Sequence, residues 1–368
     1  MAKPRDVQLS FSLPANGVRQ SDSIAGALGE WTTTDLVALA VPDHTRPLDV
    51  ASVLQQMRSR LKGGFRVMVG LGLHRRMTDA ELSEICEEAP IQHDPDDCLM
   101  IRLASGEQVG LARKLVEADW SLSIGVAELH QYAGVSGGYK GVVVGCGSRN
   151  LIASLHCRDS VCAPGVRIGQ IDGNPFRERI AEVGKASNCV AALVYVPAVQ
   201  QWLFGEPKQV IQTAAKLIQP WYWVKEPVDG VVLRVPKSKS STLYQASRAA
   251  TYLALSPHPP VRTGGTLVLD AALEEGIGCE VGFVRALERE PPPWSGALVG
   301  EEARGAGAQR IVMLALLAQR YRLVLRGCKD PTVFTRIGLE ASSSPPEIPT
   351  GWLDVPSPFS HIPQWRSR

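Results

Sequence analysis

The chain has 368 residues, 45% hydrophobic and 21% charged, the makeup of an ordinary globular protein but too long for one compact core, so two domains are expected. Its 39 basic and 37 acidic side chains leave a net charge of +2 with no long run of one sign, which argues against nucleic acid or an anionic membrane and for a small-molecule partner. The opening Met-Ala-Lys-Pro-Arg holds no apolar stretch suited to a secretory signal, and the longest apolar run, 311–318, is far shorter than the roughly 20 residues that span a bilayer. A cytoplasmic location with no membrane span is the expectation.

Taken in chain order, short apolar runs bounded by turn residues predict buried strands at 36–41, 65–71, 142–144, 189–196, 231–235 and 266–269. Segments with helical spacing fall between several of them, at 50–61, 79–88, 241–255 and 309–321. That alternation predicts an α/β protein of two domains, each a mostly parallel sheet flanked by helices. Thr78 with Glu81 three residues later reads as a capping box, and Ser240 or Ser241 as the cap of the helix carrying Tyr244. The segment 219–227, with two prolines and two tryptophans, predicts the crossover between domains, placing them at 1–224 and 225–368. The tail from Ser342 is rich in Pro and Ser and is expected to run irregularly. Eight cysteines, at 86, 98, 146, 157, 162, 189, 279 and 328, show no Cys-x-x-Cys pair, so buried reduced thiols are expected rather than disulfides or structural zinc.

In open parallel sheets ligands bind at the carboxyl ends of strands, so polar clusters directly after apolar runs carry the most weight. Four occur. Asp43-His44-Thr45-Arg46-Pro47 follows the first predicted strand, and Gly72-Leu73-His74-Arg75-Arg76 follows the second. The third runs from His130 through Ser136-Gly137-Gly138-Tyr139 to Lys140, where glycines permit close backbone approach to a bulky ligand beside an amine able to form a covalent bond. His156 is expected on the next helix. The fourth, Tyr244-Gln245-Ala246-Ser247-Arg248, puts Tyr244 and Arg248 on one helix face. Singly, each reads equally as a packed histidine, a solvated loop lysine, a turn with its own salt bridge, or an amphipathic helix.

Jointly, these motifs resemble the lactate racemase family of hydroxyacid racemases and epimerases. The resemblance covers most of the chain from Asp43 to about Cys279, including the ten-residue interval from His130 to Lys140, the sixteen from Lys140 to His156, Leu-Tyr-Gln-Ala at 243–246, Gly264-Gly265-Thr266 and Glu275-Gly276-Ile277-Gly278. It implies a nickel-pincer nucleotide cofactor, the Ni(II) complex of pyridinium-3-thioamide-5-thiocarboxylic acid mononucleotide, tethered at Lys140 with His156 as the protein's nickel ligand. It further implies His74 and His130 as the two bases, Asp43, Arg46, Gly137 and Gly138 beside the cofactor, and Arg46, Tyr244, Gln245 and Arg248 on the substrate, in a cleft between the domains. The expected reaction inverts a hydroxyl-bearing carbon of a 2-hydroxy acid or related polyol by hydride transfer, with separate enzymes making the cofactor. Imidazole suits both roles, as a borderline metal ligand and as a group that takes and gives protons near neutrality.

Two departures bear on the substrate. Arg248 stands where lactate racemase has lysine, and Cys279 follows a motif often followed by histidine; a rigid, permanently charged fork is not a neutral swap for an ammonium. A larger hydroxyacid, a sugar acid or an uncharged sugar stays open. So do two other readings of the same residues, a Schiff-base enzyme using Lys140 and a non-catalytic ligand-binding homologue. No Walker loop or dinucleotide fingerprint is present, so ATP or free NAD use is not expected.

Overall fold

In the computed structural model of the chain, residues 9–15, 17–72, 74–86, 89–299 and 307–366 are described. Met1–Arg5, Leu73 and the last two positions of the predicted helix at 79–88 lie outside them. The chain divides into two compact units, Met1–Leu155 with Gly169–Ile218, and His156–Ile168 with Gln219–Arg368. A single boundary at 224 therefore lies six residues beyond the last change of unit at 218, and does not contain the excursion of 156–168.

The first unit's strands are β1 (Val18–Ser21), β2 (Val37–Pro42), β3 (Phe65–Gly70), β4 (Ile91–Gln92), β5 (Cys98–Arg102), β6 (Gln108–Ala112), β7 (Trp120–Val126), β8 (Leu129–His130), β9 (Gly134–Val135), β10 (Cys189–Val196) and β11 (Gln201–Gly205). Its helices are α1 (Ile24–Leu28), α2 (Val50–Met57), α3 (Asp79–Ser83), α4 (Arg113–Val116), α5 (Tyr139–Val143) and α6 (Arg149–Leu155), then, after α7 (Arg158–Val161) of the second unit, α8 (Pro175–Ala186) and α9 (Pro207–Leu217). The main sheet runs β1-β11-β10-β7-β2-β3-β4, parallel from β10 to β4 and antiparallel at β11 and β1.

The central strands β2 and β7 are buried along almost their whole length, and Leu39, Val41 and Leu122 all face the same core cluster. Phe11, Trp31, Trp120 and Phe204 interlock beneath one face, with ring centroids 4.8–6.0 Å apart. Burying each such side chain stabilises the unit by about 1.5–3 kcal/mol.

Two local expectations are corrected. Residues 142–144 are not a strand: the run begins three residues after α5 starts, and the Val144 amide donates to the Lys140 carbonyl at 3.0 Å, closing a helical turn. The central strand β7 had gone unpredicted because Ser121 and Ser123 break its apolar run. Both hydroxyls are satisfied, by Asn188 Oδ1 at 3.2 Å and by the Gly138 carbonyl at 2.8 Å, so their burial costs little.

The second unit holds β12 (Trp221–Trp223), β13 (Val228–Arg234), β14 (Val261–Asp270), β15 (Arg322–Arg326), β16 (Glu340–Ala341), β17 (Leu353–Val355) and β18 (Ile362–Gln364), with α10 (Leu243–Ala254), α11 (Val281–Arg289), α12 (Gln309–Ala318) and α13 (Thr332–Thr335). Its sheet, β16-β15-β14-β13-β17, is parallel throughout. The tail expected to be irregular supplies two short strands: β17 extends this sheet and β18 pairs with β12. Thr242 caps α10, its side chain accepting from the Gln245 amide at 3.2 Å, in place of Ser240 or Ser241. The capping box at Thr78 and Glu81 is present as predicted, with bonds of 3.3 and 2.7 Å. Of the eight cysteines, Cys86, Cys146, Cys189 and Cys328 are buried, whereas Cys162 and Cys279 are exposed.

Candidate functional site

Parallel strands β7, β2 and β3 are neighbours, so the loops leaving their carboxyl ends meet, and these loops carry the polar clusters picked out in the sequence. Asp43 leaves β2 and is 5% exposed. Its Oδ1 accepts from Thr45 Oγ1 at 2.6 Å and from the Thr45 amide at 3.1 Å, which turns the chain sharply and aims Oδ2 across to the loop after β3. There His74 Nδ1 lies 2.5 Å away. Burial raises the Asp43 carboxyl, but the facing His74, the Thr45 hydroxyl and Arg46 outweigh it and hold the group well below the usual carboxylate range. An ionised Asp43 can only accept, so His74 donates from Nδ1, and whenever the ring is neutral its lone pair lies on Nε2.

Arg46 joins the same loop to the one after β7: its Nη1 donates to Glu128 Oε2 at 3.0 Å, both side chains being largely buried. That pairing uses one nitrogen of a five-donor fork. Glu128 was not picked out in the sequence, because the strand that delivers it was not recognised.

Beyond Glu128 the chain forms the small hairpin of β8 and β9. His130 sits in it, stacked on Phe176 at 6.5 Å and edge-on to Tyr132 at 5.7 Å. Its Nδ1 accepts from the backbone amides of Tyr132 at 3.3 Å and Ala133 at 3.1 Å. Ser136 then ties the loop back, its hydroxyl donating to the Val126 carbonyl at 2.7 Å and accepting from the Glu128 amide at 2.9 Å.

Gly137 and Gly138 follow at φ +92° and +61°, where a Cβ would come within 3.0 Å of Ile211 and 2.6 Å of Ile211 respectively. Packing of this turn on α9 thus already requires both glycines. Lys140 occupies the first turn of α5 and is half-buried. The structure therefore assembles Asp43, Arg46 and His74 through direct contacts, and puts His130 and Lys140 at the two ends of one loop.

The second unit holds the remaining candidates. His156 follows the end of α6 rather than lying within a helix, opens the segment that leads to α7, and is buried. Tyr244, Gln245 and Arg248 are all buried on α10. The Tyr244 hydroxyl accepts from Gln309 Nε2 at 3.1 Å, its ring meets Phe283 edge-on at 5.4 Å, and the Arg310 guanidinium lies 5.7 Å from its centroid. Arg248 donates to the Gln245 side chain and lies 5.8 Å from the Phe359 ring. The Gly276 and Ile277 carbonyls accept from the Leu243 and Tyr244 amides at 2.8 and 3.0 Å, so the Glu-Gly-Ile-Gly segment caps the helix that presents Tyr244. Gln309 and Arg310 gave no sequence signal, lying in a run that reads as an ordinary helix start.

Residues 27–169 match the family model described as the lactate racemase N-terminal domain. The lactate racemase of Thermoanaerobacterium thermosaccharolyticum is 27% identical over 280 residues, 70% of this chain, and that of Lactiplantibacillus plantarum 24% over 272 residues, 68% of this chain. Over residues 27–169 the chain matches the lactate racemase N-terminal domain, and it is similar to lactate racemases over about two thirds of its length.

Those matches span 64% and 63% of the two relatives' own lengths. The lactate racemase apoprotein structure from T. thermosaccharolyticum superposes with a TM-score of 0.76 at 20% identity, covering 90% of this chain and 87% of that one. A crystal structure of a Thermotoga maritima protein gives 0.69 at 14% identity, covering 94% and 96%. Both share the α/β fold of this chain.

Proposed function

We propose that this chain is a racemase or epimerase that inverts a hydroxyl-bearing carbon of a 2-hydroxy acid or related polyol with the aid of a nickel-pincer nucleotide on Lys140. The observation that carries the reading is the Asp43–His74 pair, locked at 2.5 Å and joined through Arg46 and Glu128 to the loop that leads on to His130 and Lys140. Among the described residues no three His, Cys, Asp or Glu side chains gather into a metal site. The chain's residues fit a group that brings its own donors, needing from the protein one amine for the tether, Lys140, and one neutral imidazole, His156. When bound, that group supplies a hydride acceptor for the carbon-bound hydrogen.

The chain's own residues do the rest. His74, oriented by Asp43, takes the hydroxyl proton at Nε2. Arg46, steadied by Glu128, offers charge-assisted donors to an anionic oxygen. Tyr244, Gln245 and Arg248 contact the substrate, and Arg248 extends the range beyond lactate, because a guanidinium pairs bidentately with a second carboxylate or with vicinal hydroxyls. Enzymes that make the cofactor are the implied partners. The protein works in the cytoplasm, and none of its described helices is long and apolar enough to cross a membrane.

Intact-protein mass spectrometry with nickel quantitation tests the reading, on protein made alongside cofactor-synthesising enzymes. A cofactor-sized adduct with nickel is expected in the wild type, and both should vanish in Lys140→Ala. No adduct and no nickel in the wild type, with a parallel family member loaded, would overturn it.

A further inference from the structure

The loop between His130 and α5 has little regular structure beyond the two-residue strand β9, yet four of its carbonyls accept from just two side chains at the start of α8. The Tyr132 carbonyl accepts from Asn174 Nδ2 at 2.8 Å. The Ala133 carbonyl accepts from Arg177 Nε at 3.0 Å, the Val135 carbonyl from Arg177 Nη2, and the Gly137 carbonyl from Arg177 Nη1 at 3.5 Å. Gly134 lies so close to the chain entering α8 that a Cβ there would sit 1.9 Å from the Gln170 carbonyl oxygen.

Asn174 caps α8, its Oδ1 accepting from the Arg177 amide at 3.2 Å, and is fully buried. Arg177 is 8% exposed, and each bond given for its guanidinium runs to a backbone carbonyl of this loop. Phe176, between them, stacks on the His130 ring. The first turn of α8 is thus a spool around which the loop is wound. The fork of Arg177 suits this task, since its rigid donors hold three carbonyls in one fixed relation.

The consequence reaches His130 through one peptide group. The Tyr132 carbonyl, held by Asn174, and the Ala133 amide, donating to His130 Nδ1, are the two ends of the same planar unit. Fixing the carbonyl fixes the amide, and Arg177 anchors the next carbonyl along. With two amide hydrogens aimed at it, Nδ1 must be the bare nitrogen of the neutral ring, and the proton resides on Nε2. His74 has the reverse arrangement: Nδ1 carries the proton toward Asp43, so in the neutral ring Nε2 holds the lone pair.

We propose that Asn174 and Arg177 are positioning residues that hold His130 as the Nε2–H tautomer, so that the two imidazoles are preset in opposite roles: His74 to accept a proton and His130 to donate a hydrogen bond. This rests on the racemase reading for its catalytic meaning, though the tautomer itself does not. In the reaction, the proton leaving the substrate hydroxyl goes to His74 Nε2 and returns from it when the hydroxyl is restored, while His130 keeps its own proton and offers Nε2–H as a hydrogen bond to the reacting oxygen.

The test is ¹⁵N–¹H correlation spectroscopy of full-length apoprotein labelled at histidine, at about pH 8 where a neutral imidazole prevails, with the His130 signal identified by its loss in His130→Gln. The wild type should show His130 with its proton on Nε2. Asn174→Asp keeps the cap acceptor but loses the Nδ2 donor, and Arg177→Lys keeps the charge but loses the fork; in each, His130 should shift to a mixture including Nδ1–H. In cofactor-loaded protein the same variants should lose about ten-fold or more in kcat with KM changed less than about two-fold.

An Nδ1–H signal in the wild type would overturn the proposal, as would an unchanged Nε2–H signal in either folded variant; if both variants fail to fold, the wild-type tautomer alone decides. A wrong tautomer would leave the racemase reading standing. A missing adduct at Lys140 would sink that reading and leave the tautomer result intact.

Discussion

The loops after β3 and after β7 each deliver a histidine toward the same end of one sheet, but they hold it by different means. His74 is gripped by a charge, the buried carboxylate of Asp43 at 2.5 Å. His130 is gripped by neutral backbone, two amides whose own positions depend on a helix turn elsewhere in the chain. A carboxylate grip is strong and electrostatic, and one substitution can break it. An amide grip is spread over several weaker bonds and responds to backbone geometry rather than charge.

The largest effect expected from breaking this contrast is at Asp43. Asp43→Asn leaves the shape but lets an amide face Nδ1, removing the charge that fixes the His74 tautomer, so interconversion should slow by about 10²–10⁴-fold, measured as the rate from either enantiomer of an active substrate. The same group gives a pH signature. Its folded carboxyl is held below its unfolded range, so between the two values the unfolded chain binds more protons and stability rises with pH. The stability gap between wild type and Asp43→Asn, from urea titrations, should be full above about pH 5 and shrink as pH falls below about 4. A pH-independent gap would show that the carboxylate is not the grip.

Next in size is Gly134→Ala, which attacks the amide-held loop through its backbone. A residue at φ +73° with a carbonyl oxygen 1.9 Å from the new methyl must move, and stability should fall by about 3 kcal/mol in the same titration. Smaller again is Glu128→Gln, which loosens Arg46 without touching either histidine. KM for an anionic substrate should rise about five- to ten-fold, equivalent to about 1 kcal/mol, with kcat nearly unchanged. A fall in kcat of equal size would place Arg46 in the chemical step rather than in binding.

Much of the frame was legible because burial writes itself into sequence. β2 and β10 are unbroken apolar runs and β3 is interrupted by Arg66 alone, and the polar residues just beyond β2 and β3, Asp43, Arg46 and His74, form the contacted part of the site. β7 escaped because two satisfied serines interrupt it, and Glu128 at its end escaped with it. Val142 and Val143 were misread because a buried helical turn of a few apolar residues has the same local pattern as a short strand.

Asn174 and Arg177 were invisible for a different reason. They act on backbone carbonyls 42 and 44 residues away, and a carbonyl carries no side-chain signature for a sequence to display. The helix start at Asn-Pro was readable in principle, but nothing in it names the loop it holds.

The pairing of β1 with β11, Val18 against Gly205, has a consequence for how the protein is made. A ribosome releases the chain from its amino end, so β1 emerges early and has no neighbour until almost 190 residues later. The outer edge of the first sheet, and with it the α8 turn that winds the His130 loop, can be completed only after the family's N-terminal segment and the excursion at 156–168 have already been synthesised. For that interval the nascent chain carries His130 without the α8 turn that orients its loop, and the loop reaches its final form late in synthesis.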